Sequence, residues 1–204
     1  MREILPDVLT WPWFSEKNGY DFNGYLFLDA GGNIAVDPVL MPDAVLAELG
    51  RIGVRHIVLT NRNHFRDAAR LREATGAKVL AHPADAGFVR EKGVPVDGAI
   101  EPGARLGPFA VLDAHGKSPG EIALYDEARR LLVVGDACVG KPSGALSLLP
   151  QAVIDDPTAL RRSLAHLLRD VHFDALLPGD GAPILQAAHG ALRALCATFP
   201  EAYP

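Results

Sequence analysis

Cysteine is scarce in this sequence: Cys138 and Cys196 are the only two among 204 residues. Two thiols are too few for a disulfide framework and lack the paired spacing of a cysteine zinc site. A basic surplus is missing too, since 20 Lys and Arg stand against 25 Asp and Glu for a net charge of −5. That balance excludes a general nucleic-acid binder, which needs basic surface to displace counterions. No stretch approaches the ~20 consecutive apolar residues that span a bilayer, so no membrane role is expected. The first fourteen residues, MREILPDVLTWPWF, place Arg2, Glu3, Pro6 and Asp7 where a secretion signal needs an apolar core. The expectation is a cytoplasmic protein. What is present is 49% hydrophobic and 22% charged residues, the composition of a globular chain with a sizeable core. A single domain over residues 1–204 is expected, since no linker or low-complexity tract divides the sequence.

Glycine and proline punctuate a series of short apolar segments. Residues 24–29 and 33–37 flank Ala30-Gly31-Gly32, a hairpin signal because glycine tolerates positive φ. Pro42 opens a helix with Val45, Leu46, Leu49 and Ile52 on one face. Residues 56–60 form a buried strand, 65–75 a helix stopped by Gly76, and 78–81 the next strand. The second half repeats the pattern, with strands at 109–113, 121–125 and 131–135. A helix follows, capped by Asp156 with Pro157 at its first position, then a strand at 174–177 and a last helix from 183 to about 199. Strands and helices in both halves suggest two sheets packed face to face and covered outside by helices. A three-layer α/β sandwich is the alternative that periodicity alone leaves open.

Chemistry is expected where loops leave the ends of apolar strands and converge. Four such places recur: the run from Thr60 to Asp67 (TNRNHFRD), the turn Gly116 to Gly120 (GKSPG), the pair Gly135-Asp136, and Leu177 to Gly181 (LPGDG). With the hairpin ending in Val36-Asp37-Pro38, these five landmarks resemble, in order and spacing, the metallo-β-lactamase superfamily over nearly the whole chain. The resemblance implies an αββα four-layer sandwich and a hydrolase with a dinuclear zinc site.

The zinc ligands that the resemblance implies are largely replaced. The family pattern after the buried strand is Thr-His-x-His-x-Asp-His. Aligned on Thr60, this chain has Asn61 and Asn63 at the paired histidines, Phe65 at the aspartate and Arg66 at the next histidine. Lys117 stands at the histidine of the Gly-His-Ser/Thr-Pro-Gly turn, and Asp180 at the last one. Only Asp136, at the bridging aspartate, keeps the family residue among seven positions. Zinc needs imidazole, thiolate or carboxylate at ~2.0–2.3 Å, usually from three or more protein ligands. Asn amides are weak ligands, and the positive Arg66 and Lys117 repel a metal. The sequence therefore predicts a polar cluster without zinc or another cofactor, in which Arg66 and Lys117 supply the positive charge and Asp136, Asp180 and Asp67 answer it. The alternative is a mononuclear divalent-metal site drawn from His64, Asp67, His115, Asp136 and Asp180. His64 follows Asn63 and, on an extended segment, points to the opposite side, while His115 lies two residues before the ligand position.

Weaker signals have plainer explanations. Residues 135–141 mimic a P-loop, but Pro142 replaces the magnesium-binding Ser/Thr. Cys138 is expected to be a small buried residue. Trp11, Trp13 and Phe14 close one end of the core or form a partner or homodimer contact. The segment from Lys141 to Pro150 either roofs the pocket, presenting Lys141 to an anion, or is simply a connection. Two functions follow. The first is a pseudoenzyme or binding protein whose pocket (Asn61, Asn63, His64, Arg66, Asp67, Lys117, Asp136, Lys141, Asp180) takes a small anionic or carbonyl-containing molecule. The second is an ester or thioester hydrolase using an atypical mononuclear or metal-free site, with Asp136 or Asp180 as general base and Lys117 among the oxyanion-stabilising groups.

Overall fold

The structure, a computed structural model, describes residues 1–200. In the first half, strands β1 (Arg2–Leu5), β2 (Val8–Ser15), β3 (Tyr20–Phe27) and β4 (Ile34–Val36) are followed by helix α1 (Asp43–Ile52) and β5 (His56–Leu59). Helix α2 (Ala68–Thr75), β6 (Lys78–Ala81), α3 (Pro83–Glu91) and β7 (Gly98–Ala99) complete a seven-stranded sheet in sequence order. The second sheet is β12-β11-β10-β9-β8, from β8 (Arg105–Leu106), β9 (Phe109–Asp113), β10 (Ile122–Asp126), β11 (Leu131–Gly135) and β12 (Ala175–Pro178). Helices α4 (Pro157–Asp170) and α5 (Ala188–Cys196) belong to this half. Among the described residues, no helix is long and apolar enough to cross a membrane.

Strand alternation builds the layers, because successive side chains face opposite sides of a sheet. In β3, Tyr25 and Phe27 enter the core between the sheets while Leu26 faces outward to the helices. Strand β11 repeats this, with Leu131 and Val133 inward and Leu132 and Val134 outward. Across the central core Phe27 meets Phe109 edge to face at 4.8 Å between ring centroids. The outer face of the first sheet packs on Leu49 of α1, Leu71 of α2 and Val89 of α3. That of the second packs on Leu160, Leu164 and Leu167 of α4 and Leu192 and Leu195 of α5. The result is the four-layer αββα arrangement, not the three-layer alternative.

Local signals explain most element ends. Asp156 accepts hydrogen bonds from the amides of Thr158 and Ala159, and Pro157 occupies the first turn of α4. Gly76 ends α2 in the left-handed region. Three features go beyond the sequence reading or differ from it. Strand β2 contains Pro12, which the ladder tolerates because β1 pairs with β2 only as far as Thr10. Helix α3 is capped by the ring of His82, whose Nδ1 accepts from the Ala84 amide, an unusual cap. Helix α5 begins at Ala188 because Ile184 is still paired, through both its amide and its carbonyl, with Leu176.

The two sheets are joined where their strand ends meet. The Ile122 amide donates to the Thr60 carbonyl at 2.9 Å, and the Asn23 amide to the Gly179 carbonyl at 2.8 Å. Tyr25 donates its hydroxyl to the Pro178 carbonyl at 2.7 Å, and Asn23 Nδ2 donates to the carbonyl of Gly181 at 2.7 Å. Beside this seam Gly140 runs against the next loop, so that a Cβ there would strike the Ala182 carbonyl oxygen and lie 2.7 Å from its nitrogen. Backbone cannot swing aside as a side chain can. Gly140→Ala is expected to cost about 1–3 kcal/mol, lowering the melting temperature by roughly 2–12 °C. A thermal melt unchanged within a degree would refute that crowding.

Candidate functional site

The loops leaving β4, β5, β11 and β12 deliver Asp37, residues 60–67, Asp136 and Asp180 to one end of the seam, and the loop between β9 and β10 adds Lys117 and Glu121. Gly135 turns β11 sharply at φ +55°, where any Cβ would collide with the Thr60 hydroxyl. The Asp136 side chain is thereby brought into the cluster.

His64 stands at its centre, fully buried, contrary to the expectation that it points away. Residues 61–67 do not extend. Asn61 Oδ1 accepts from the Asn63 amide and the His64 amide bonds back to the Asn61 carbonyl, so the chain turns and strand alternation no longer applies. The imidazole then lies between two carboxylates, with Nδ1 2.8 Å from Asp37 Oδ2 and Nε2 3.0 Å from Asp136 Oδ1. Burial alone would lower its pKa, but the charges of Asp136 and Asp37 prevail and raise it to about 10. The ring is an imidazolium at neutral pH, donating from both nitrogens. Asp37 is fixed in turn by the Thr60 amide at 2.8 Å and hydroxyl at 2.6 Å.

The second oxygen of Asp136 faces a second cation. Lys117 Nζ lies 3.4 Å from Asp136 Oδ2 and donates to Asn63 Oδ1 at 2.5 Å. Burial would raise the Asp136 pKa, but His64, Lys117 and Arg66 hold it well below the usual carboxylate range. Arg66 lies over the Phe22 ring at 4.3 Å, and its Nη2 is 3.8 Å from Asp180 Oδ1. Neither Asp180 Oδ1 nor Arg66 Nη1 has a hydrogen-bond partner. Burial, then the neighbouring Asp136 charge, push the Asp180 carboxyl up to about 7.

Above this cluster opens a cavity of about 670 Å³. Of the pocket residues expected from sequence, Asn63, Lys117, Asp136, Lys141 and Asp180 line it. His64 lies beneath them and Arg66 beside Asp180. Three expectations are corrected. Asn61 turns inward and donates to Glu121 Oε1 at 3.2 Å, satisfying a buried carboxyl. Asp67 answers neither Arg66 nor Lys117, because Oδ2 accepts from the Met41 amide at 2.9 Å and pairs with Arg70 at 3.3 Å. His115 is turned out to solvent by its bond to Asp113 at 2.7 Å. Residues 141–150 do wall the cavity, through Lys141 and Ser147 to Pro150. Trp11 is buried in the core, whereas Trp13 and Phe14 are exposed. Cys138 is buried with its thiol pushed well up by desolvation, so it is no nucleophile.

Glu121 is a member of the cluster that the sequence does not announce, since nothing in Pro119-Gly120-Glu121 marks its carboxyl for burial. Its Oε1 accepts from the Asp136 amide at 2.8 Å as well as from Asn61, while Oε2 has no partner. Burial, then Asp136, raise its pKa well above the usual carboxylate range. Glu121→Gln, which keeps the accepting oxygen, is expected to stay within about 1 kcal/mol of the native stability, whereas Glu121→Ala should cost about 1–3 kcal/mol by orphaning the Asp136 amide. Urea titration of both variants checks this, and equal losses would show that the carboxyl does not position Asp136.

Among the described residues, one group could hold a metal: single ligand atoms of His64, Asp136 and Asp180 lie within 4.8 Å of one another. A protein-family model described as metallo-beta-lactamase superfamily matches residues 2–199. No curated protein matches the chain. Solved structures do. TTHA1623, in a di-iron-bound form, is 29% identical with a TM-score of 0.67, over 85% of this chain and 93% of that one. The metallo-beta-lactamase family protein TTHA1429 from Thermus thermophilus is 22% identical with a TM-score of 0.70, over 95% and 79%. The metallo-beta-lactamase FIM-1 from Pseudomonas aeruginosa, in its mono-zinc form, is 17% identical with a TM-score of 0.76, over 96% and 93%.

Proposed function

The chain belongs to the metallo-β-lactamase superfamily, and within it we propose a protein that has exchanged the dinuclear zinc site for fixed side-chain cations and binds a small anionic or carbonyl-containing molecule in its cleft. One observation carries this reading: both carboxylate oxygens of Asp136, the single retained ligand residue, already face cations, His64 on Oδ1 and Lys117 on Oδ2. The charge count agrees. His64, Arg66 and Lys117 stand against four carboxyls, Asp37, Asp136, Asp180 and Glu121, of which Asp180 and Glu121 have their pKa raised, so little unbalanced negative charge is left to attract a dication. The residues at the family's metal positions do not fit a pair of zinc ions, because four of the seven are Asn61, Asn63, Phe65 and Lys117 and a fifth is Arg66.

A second reading has two observations in its favour, the His64–Asp136–Asp180 group and the pKa of about 7 at Asp180. In it the protein is a hydrolase of an ester, thioester or related bond, with one metal on that group or with Asp180 as general base near neutrality. Holding a metal would require His64 Nε2 to give up its proton and Lys117 to withdraw. Elemental analysis of protein purified without chelator separates the readings, as does a screen of ester and thioester hydrolysis. The binding protein holds well under a tenth of an equivalent of transition metal and shows no turnover. Stoichiometric zinc or iron, or turnover that disappears in a folded Asp180→Asn variant, would instead establish the hydrolase.

A further inference from the structure

The cleft is lined by two unlike sets of residues. The polar set includes Lys17, Lys117 and Lys141, three ammonium groups against the two carboxylates of Asp136 and Asp180. Asp136 is matched by His64 and Lys117, and Asp180 faces Arg66. Lys117 donates one hydrogen bond, to Asn63 Oδ1, and forms an ion pair with Asp136 at 3.4 Å. Lys141 is held at the rim, donating to the Asn18 carbonyl at 3.3 Å with its ammonium 4.9 Å from the Tyr20 ring centroid. The other set is aliphatic: Leu148, Leu149 and Val153 also line the cleft, and Val153 remains 52% exposed, high for a valine on a protein surface. At the base of the cleft the Asp180 side chain is only 7% exposed, and its Oδ1 is turned inward toward Arg66, so its negative charge is answered from within the protein.

We propose that the cleft binds an amphipathic monocarboxylate, its head group between Lys117 and Lys141 and its aliphatic chain along Leu148, Leu149 and Val153. The inference rests on the binding-protein reading above and adds the ligand class. A purely inorganic anion would leave the aliphatic wall wet, and a neutral lipid would leave the lysines without a counter-charge. The volume of about 670 Å³ lies within the range of small-molecule sites and accommodates a chain of medium length.

The test is calorimetric titration of the full chain with sodium acetate, butyrate and octanoate and with octan-1-ol, on samples whose metal content is measured. A fully buried methylene is worth roughly fourfold in affinity. With the chain only partly covered, octanoate should bind at least tenfold more tightly than butyrate, and octan-1-ol should not saturate. Lys141→Ala should weaken octanoate at least fivefold. Val153→Asp, a change at an exposed position that leaves the core intact, should remove the advantage of octanoate over butyrate. Equal binding of acetate and octanoate, binding of octan-1-ol as tight as octanoate, an unaffected Val153→Asp, or no binding of any of them would overturn the proposal. Stoichiometric metal in the same samples would overturn the metal-free reading instead, and the chain-length series would still decide the ligand class.

Discussion

Replacing His64 by alanine should destabilise the protein by about 3–5 kcal/mol, the cost of removing one partner from a buried ion pair. The ring is fully buried between Asp37 and Asp136, so its loss leaves two interior carboxylates facing an empty space. The pH dependence is the sharper measurement. The native His64 pKa of about 10 lies above the ordinary histidine value of 6.5. Its contribution is therefore complete below pH 6.5 and is lost as pH rises through 10. Asp180 acts in the same sense over a lower interval, since a carboxyl raised from 3.8 to about 7 contributes stability below pH 4 that is lost as pH rises through 7. Native stability should thus decline from about pH 4 to pH 10. In His64→Ala the imidazole's share of the decline between pH 6.5 and 10 disappears, leaving the shares of Asp180 and Glu121. Urea denaturation at pH 5.5, 7.5 and 9.5 measures this, and native and variant curves running parallel across those values would show that His64 is not charged in the folded protein.

The second large effect is a gain. If fixed cations stand in for metal, returning the family's ligands should return the ion. The triple variant Asn61→His, Asn63→His, Lys117→His places imidazoles at three ligand positions and removes the ammonium beside Asp136. It is expected to bind one zinc ion with a Kd of ~1 μM or tighter, about 8 kcal/mol of binding free energy, and the native chain is expected to bind none. Lys117→Ala alone removes the repulsion without adding a ligand and should fall between the two. Competition against a zinc-sensing dye, with a melting temperature that rises on adding zinc, gives the readout. A folded triple variant that still ignores zinc, or a native chain already as avid, would refute the charge-substitution account.

The fold was largely open to inspection in the sequence because its signals are local and repeated. Apolar runs over residues 56–59, 122–126 and 131–135 give strands with two buried faces, and Asp156-Pro157 marks the start of α4 as the structure has it. The loops carrying Asn63, Lys117, Asp136 and Asp180 could also be placed in one cleft by their order along the chain. What could not be placed was side-chain direction inside those loops. His64 sits between two expected ligand positions, Asn63 and Phe65, and only the turn closed by Asn61 and Asn63 decides that its ring faces inward. Asp67 and Glu121 illustrate the same gap. Each carboxyl found a backbone amide, of Met41 or of Asp136, from a segment distant in sequence, and no pattern near residue 67 or 121 announces that partner.

The hydrogen bonds that tie Asn23 and Tyr25 to the loop of Pro178, Gly179 and Gly181 have a mechanical consequence. They clamp the first sheet to the second directly under the charged cluster, so the base of the cleft cannot flex unless the whole sandwich parts. Adjustment to a guest is left to the overhang: the hairpin tip bearing Lys17 and Asn18 on one side, and the 141–150 loop on the other. The molecule is built as an anvil with soft jaws, and diversity in what it grips would arise in the jaws.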